Sequence, residues 1–150
     1  MKFAAALLVA LAASACATQP ASKDVTACAA YKPAFDVTDK FMTTFNAKDA
    51  KAWGETFSFP SVRLASGKTV VLNSAADLED SFSRLEATGW DHSAWAARHV
   101  VQCEPTKAHM LTTFVRYRHD GSVLSQFDSL YIIELRNGKW GITGRSSFAP

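Results

Sequence analysis

Residues 107–148 read KAHMLTTFVRYRHDGSVLSQFDSLYIIELRNGKWGITGRSSF, and this stretch decides the fold. Its apolar and polar residues alternate with a period of two, the pattern of half-buried strands. Asp120-Gly121 and Asn137-Gly138 interrupt it, both pairs suited to two-residue hairpin turns. Three strands are therefore expected at 107–118, 123–136 and 139–148, preceded by a fourth at 97–103 that ends before Glu104-Pro105. If both pairs are central turn residues, the register follows. Arg116 opposes Ser125, Phe114 opposes Phe127, Thr112 opposes Ser129 and Met110 opposes Tyr131. Across the second turn Leu135 opposes Trp140, Ile133 opposes Ile142, Tyr131 opposes Gly144, Ser129 opposes Ser146 and Phe127 opposes Phe148. One face is then mainly aromatic and aliphatic, with Thr112, Arg116, Ser129 and Ser146 set among the apolar groups, the composition of an apolar pocket with a few orienting polar groups. The other face carries His109, Leu111, Val115, Tyr117, Asp128, Leu130, Ile132, Glu134 and Arg145, with Asp128 and Arg145 as diagonal neighbours. No helix is left over to cover this half-apolar face, which points to a second subunit.

Upstream of the strands the period changes. Ala34, Val37, Phe41 and Phe45 recur at spacings of three and four, giving a helix over 33–46 with Pro33 at its first turn. Asp49 caps a second short helix whose buried side is Ala52, Trp53 and Phe57. Val62-Arg63-Leu64 and Thr69–Leu72 flank Ser66-Gly67 as a small hairpin. Ser74 and Asp77 form a near capping box for a third helix over 74–88, with Leu78, Phe82 and Leu85 on one face. Helices followed by an antiparallel meander make an α+β domain, a curved sheet wrapped on N-terminal helices.

The chain has 150 residues, 48% hydrophobic and 20% charged, which excludes disorder and several domains. Its 16 basic and 14 acidic residues are spread along the chain, so there is no basic stripe for nucleic acid. Lys2, the apolar run Phe3–Ala13 and small residues up to Cys16 read as a secretory signal over 1–15, too short to span a bilayer. The Ala13-Ser14-Ala15-Cys16 sequence resembles a bacterial lipobox, although Ala13 stands where a large aliphatic residue is usual. Lipidation of Cys16 would make 16–29 a lipidated N-terminus and tether, and residues 30–150 the folded domain. The protein would then meet the membrane only through its lipid anchor. Ala17 in place of the retention Asp favours the outer membrane, on the periplasmic side of the envelope. Cleavage after Ala15 or Ala17 without lipid is the alternative, giving a protein secreted to the periplasm. In that oxidising compartment Cys28 and Cys103 can pair, or remain two buried thiols.

The order of elements, with the closing Gly138-Lys-Trp140-Gly-Ile142, resembles the nuclear transport factor 2-like superfamily, which includes ketosteroid isomerases, scytalone dehydratase and SnoaL-like cyclases. Phe59-Pro60-Ser61-Val62-Arg63-Leu64-Ala65-Ser66-Gly67, Gly89-Trp90-Asp91-His92-Ser93, Ser129-Leu130-Tyr131-Ile132 and Arg145–Ala149 look like motifs of an uncharacterised bacterial branch. The resemblance implies a cone-shaped half-barrel of cystatin-like architecture, a ligand cavity on the concave face and homodimers through the outer sheet. Isomerases of this fold hold a carboxylate in the cavity. The inward positions of strands 107–148 contain none, so proton-shuttling chemistry is disfavoured.

The expected function is a non-catalytic domain holding a small, largely apolar molecule, with Trp90, His92, Thr112, Arg116, Ser129, Tyr131 and Ser146 around it. An enzyme of the isomerase, dehydratase or cyclase type would use His92 as base and Tyr131 as hydrogen-bond donor. A third reading is an interaction module whose cone is filled by its own side chains. Asp91 reads as a turn residue, because adjacent side chains seldom face each other. His99, His109 and His119 lack metal-ligand spacing, so neither a metal nor a cofactor is read from the sequence. Ser146-Ser147 lacks a nucleophile elbow.

Overall fold

The computed structural model describes residues 24–150. After a short 3-10 turn at Val25–Ala27 come α1 (Tyr31–Asn46), α2 (Ala50–Gly54), β1 (Phe57–Ala65), β2 (Lys68–Leu72), a 3-10 turn at Ala75–Leu78, α3 (Ser81–Glu86), β3 (His92–Glu104), β4 (Lys107–Tyr117), β5 (Val123–Arg136) and β6 (Lys139–Ser147). The strands form one curved sheet in the order β2-β1-β6-β5-β4-β3. The signal and the lipid site at Cys16 lie outside the described residues. Among the described residues no helix is long and apolar enough to cross a membrane.

Helix α1 begins two residues earlier than its proline suggests. Pro33 sits in the first turn, where the missing N–H forfeits no helical bond. Its Ala34, Thr38 and Phe41 are buried against the sheet. Thr38 satisfies its hydroxyl by donating 2.9 Å to the Ala34 carbonyl one turn back. At the other end Asn46 replaces a missing strand neighbour: its Nδ2 donates to the Ser93 carbonyl (2.8 Å) and its Oδ1 accepts from the Ser93 N–H (2.9 Å). That two-bond clamp ties α1 to edge strand β3, which therefore starts at His92 and not near residue 97. Asp49 caps α2 through the Ala52 N–H. Phe57, expected on that helix, is the first residue of β1 instead. The third helix is split: the Ser74/Asp77 capping box starts a 3-10 turn, and α3 follows separately.

The sheet is mixed. β1 runs parallel to β6, pairing Phe57 with Ile142 and then, after an irregularity, Val62 with Gly144. Pro60, which has no N–H to offer, falls within that irregular segment. Gly141 permits the close approach of the two strands, since a Cβ there would lie 2.9 Å from the Phe57 carbonyl carbon.

The β4–β5 register is the expected one, with Arg116 opposite Ser125 and Met110 opposite Tyr131. It is reached by another route. The loop accepts the Gly121 N–H at the Arg118 carbonyl and the Arg118 N–H at the Ser122 carbonyl, with only Gly121 at positive φ. It is thus one residue longer than a two-residue turn, and a register shift at Arg116/Tyr117 restores the alignment. At Asn137-Gly138 both residues have positive φ, as the two-residue turn requires. Leu135 pairs with Trp140 and Ile133 with Ile142, but a bulge follows. Beyond it Tyr131 faces Arg145, not Gly144, and Ser129 faces Ser147, not Ser146. One extra residue turns every later side chain of β6 over. Arg145 and Ser147 therefore point into the cone, while Ser146 is exposed and Phe148 is 83% exposed. The expected Asp128–Arg145 pair does not exist; Asp128 accepts from Thr113 Oγ1 instead (2.6 Å).

Between α1 and the sheet lies the core, centred on Phe41, Trp53, Met110, Tyr131, Ile133 and Ile142. Cys28 and Cys103 are joined by a disulfide that holds the chain ahead of α1 to the end of β3.

Candidate functional site

The strand order brings three arginines onto the concave face of neighbouring strands. Arg63 on β1 is in register with Arg145 on β6, and Arg145 with Tyr131 on β5. Arg116 enters from β4, opposite Ser93 of β3. With Phe41, Met42 and Phe45 of α1 and with Trp95, Phe114 and Tyr131 of the sheet, Ser93, Arg116 and Arg145 line a cleft at the mouth of the cone. Its enclosed volume is about 20 Å³, room for roughly one water molecule. Behind it Met110, Thr112, Ile133 and Ile142 are buried.

Arg145 is held from below. Its Nη2 donates to Ser147 Oγ (3.0 Å) and to Ser129 Oγ (3.4 Å), and the two hydroxyls bond each other at 2.8 Å. Its guanidinium lies over the rings of Phe114 and Tyr131, 5.3 and 5.2 Å from their centroids. Arg116 lies over Phe114 and Phe127, at 5.7 and 5.1 Å. Arg63 donates to the carbonyls of Ala149 (3.2 Å) and Pro150 (2.9 Å). Nε of Arg116 and of Arg145 is buried without an acceptor. Among the described residues no Asp or Glu side chain forms an ion pair with any of the three. Burial, reinforced by the charges of Arg145 and Arg63, brings the Arg116 pKa down to about 10. Burial also raises the Tyr131 phenol above its ordinary value, against the pull of the arginines, so it stays protonated at neutral pH.

The residues expected around a ligand are placed unequally. Arg116 and Tyr131 line the cleft. Thr112 and Ser129 face inward but lie buried beneath it, bonded to the Ser129 carbonyl and the Ser147 hydroxyl. Trp90 is a core residue whose Nε1 donates to Ser93 Oγ (2.9 Å). Ser146 is on the convex side. His92 is there too, since its neighbour Ser93 points inward, and it stacks on Tyr117 at 5.0 Å. Contrary to the expectation for adjacent residues, Asp91 does meet His92, at 2.8 Å from Nδ1, and His119 at 3.3 Å. These contacts hold the Asp91 carboxyl below the usual range, His92 contributing most. The cluster is outside the cleft.

Sequence reasoning missed Ser93, Trp95, Arg63 and Arg145 as site residues, and read the α1 aromatics only as a helix face. A Ser93 partner to Trp90 leaves no spacing signal. Arg145 was hidden by the bulge. A wider trough of about 760 Å³ runs along β3, lined by Val25 and Val100–Glu104 with Lys107 and His109. Its Gln102 already bonds His109, and its Lys107 pairs with Glu134, so it offers few unmet polar groups.

The sequence profile of the NTF2-like proteins (DUF6841) matches residues 34–148. The chain belongs to this NTF2-like family. Among curated proteins none matches it in sequence. It is similar in structure to an NTF2-like protein of unknown function from Pseudomonas putida, with a TM-score of 0.65 and 10% identity over 81% of this chain and 87% of that one. A Nostoc punctiforme protein of unknown function with a cystatin-like fold aligns with a TM-score of 0.63 and 13% identity, covering 77% and 86%. A ketosteroid isomerase-like protein from Erwinia carotovora gives 0.58 and 19%, covering 76% and 91%. At these identities the likeness establishes the fold, an α+β half-barrel, and leaves activity to be argued from the site.

Proposed function

We propose that this NTF2-like domain binds a small molecule at the mouth of its cone without transforming it. One observation carries the reading: the cleft is lined by aromatic side chains and hydrogen-bond donors, and none of its lining residues is Asp, Glu or His. Such a surface can hold and orient a ligand, yet it presents no group able to accept and return a proton near neutral pH. The isomerase-type alternative loses its base, because His92 stands on the convex side. Met42, unbranched and adaptable, is the lining residue best suited to give way as the cleft opens. On this reading the domain works on the periplasmic side of a bacterial envelope, anchored through Cys16, and pairs with a second copy through the convex face, where Val62, Leu64, Val71 and Leu111 are exposed or nearly so.

Native mass spectrometry of the protein purified from its own host tests the reading. A retained small molecule that disappears in Met42→Trp, which fills the cleft, supports it. No retained mass in either form overturns it in favour of a second reading, an interaction module. The small size of the cleft, about 20 Å³, is the observation that favours this alternative.

A further inference from the structure

Four arginines face the interior of this sheet, and the fold treats one of them differently. Arg98 of β3 lies over the Phe35 ring and pairs with Asp39 of α1 at 2.6 Å, so its charge is balanced where it is buried. Arg116 and Arg145 have no such acid, and Arg63 has only the main-chain oxygens of Ala149 and Pro150. Instead, two of them are cross-strand neighbours and two share the ring of Phe114. Like charges set opposite each other on a sheet are destabilising, and a buried donor without an acceptor adds to that. A structural role would be served better by an apolar residue, or by an acid such as the one Arg98 receives.

We infer that the mouth of the cone is a carboxylate site: Arg116 and Arg145 bind the acid group of a small organic acid whose apolar body lies against Phe114, Trp95 and Tyr131, and Arg63, beside Arg145, adds its positive charge from outside the cleft. This deepens the binding reading and rests on it. The planar guanidinium fork matches the two oxygens of a carboxylate, and the Nε–H groups of Arg116 and Arg145 are donors left over after the protein's own bonds are made. The Ser129–Ser147 pair fixes Arg145 from behind, so this guanidinium is oriented before any ligand arrives. The ring faces that carry the two cations are the same ones that would receive the apolar body. A single anion would relieve the mutual repulsion of Arg116 and Arg145 and supply the acceptor that their Nε–H groups lack.

The test titrates three acids, benzoate, 4-phenylbutyrate and octanoate, each beside its uncharged primary amide, into the full-length protein by calorimetry. At least one acid is expected to bind, tenfold or more tightly than its amide, and less tightly as salt is raised. Arg116→Gln is expected to weaken that acid tenfold or more and its amide much less, and Arg63→Gln to weaken the acid severalfold. Two variants are used so that a folding defect in one, visible by circular dichroism, does not decide the result. If acid and amide bind equally, or if both variants bind the acid as the wild type does, the carboxylate inference fails while the binding reading stands. If no acid and no amide binds at millimolar concentration, both fail.

Discussion

The two ends of the sheet handle charge in opposite ways. At one end, where β3 turns into β4 and β5 into β6, Glu134 accepts from Lys107 (2.8 Å) and from Arg136 (2.5 Å), and the disulfide lies alongside at Cys103. Lys107, its cross-strand partner, is the main reason the Glu134 carboxyl falls to about 2. Behind that end Ala108, Met110, Ile133 and Ile142 are fully buried. At the other end Arg63, Arg145 and Arg116 come together with no Asp or Glu side chain among the described residues paired to any of them, and burial depresses Arg116 to about 10. One sheet therefore carries a stapled, charge-balanced end and an open, charge-unbalanced one. The difference teaches that the fold can neutralise its charges where only stability matters, so the end where it does not is the one to search for a ligand.

The sharpest way to break the comparison is to remove the staple. Cys28→Ser with Cys103→Ser frees a span of 75 residues, and the loss expected in urea unfolding is about 2–5 kcal/mol. Acid binding by the fraction that remains folded should be unchanged, since the disulfide is at the far end. A loss of binding in the folded protein would show that the ends are not independent. Next in size, and opposite in sign, is Arg116→Met, which keeps the apolar stem and removes the charge. Its depressed pKa means that the charged form is disfavoured in the folded chain, a penalty present at all pH values below about 10 and relieved as the pH rises from there toward 12.5. At neutral pH the variant should be more stable by about 1–2 kcal/mol, allowing for solvent screening, and should lose acid binding. An Arg116→Met protein less stable than the wild type would mean that the cation is structural.

Much of this contrast was legible in the sequence, and its limits are physical. Period-two alternation with Asp120-Gly121 and Asn137-Gly138 placed Phe114, Arg116 and Tyr131 on one face correctly, because side-chain direction depends on register and a loop one residue longer was cancelled by a register shift at Arg116/Tyr117. The same reasoning failed at Arg145 and Ser146. There a bulge between Ile142 and Gly144 is compensated by nothing, and no residue type announces it. The parallel β1–β6 pairing is a long-range contact that local patterning does not encode, and it is what sets Arg63 beside Arg145. The core aromatics of α1 were evident from their spacing; that three of its residues, Phe41, Met42 and Phe45, also line a cleft depends on where the helix docks.

Smaller effects sharpen the picture. Glu134→Gln leaves Lys107 and Arg136 without their acid, and should cost about 0.5–1 kcal/mol at neutral pH in a partly solvated pair. Because the folded carboxyl titrates near 2 and not at its ordinary 4.5, the wild type's advantage is complete above about 4.5 and shrinks as the pH falls through about 2. A gap independent of pH would locate the effect in packing.

The smallest expected effect belongs to His92→Ala. Its imidazole bonds Asp91 and stacks on Tyr117, both on the convex side, and Ser93 between it and the cleft points inward. Exposed pairs of this kind contribute little to stability, so the unfolding midpoint should scarcely move. Acid affinity should stay within twofold, measured by the same calorimetry. A tenfold loss would carry the open end around the strand to its outer face, and would restore His92 to the site from which the side-chain alternation of β3 removes it.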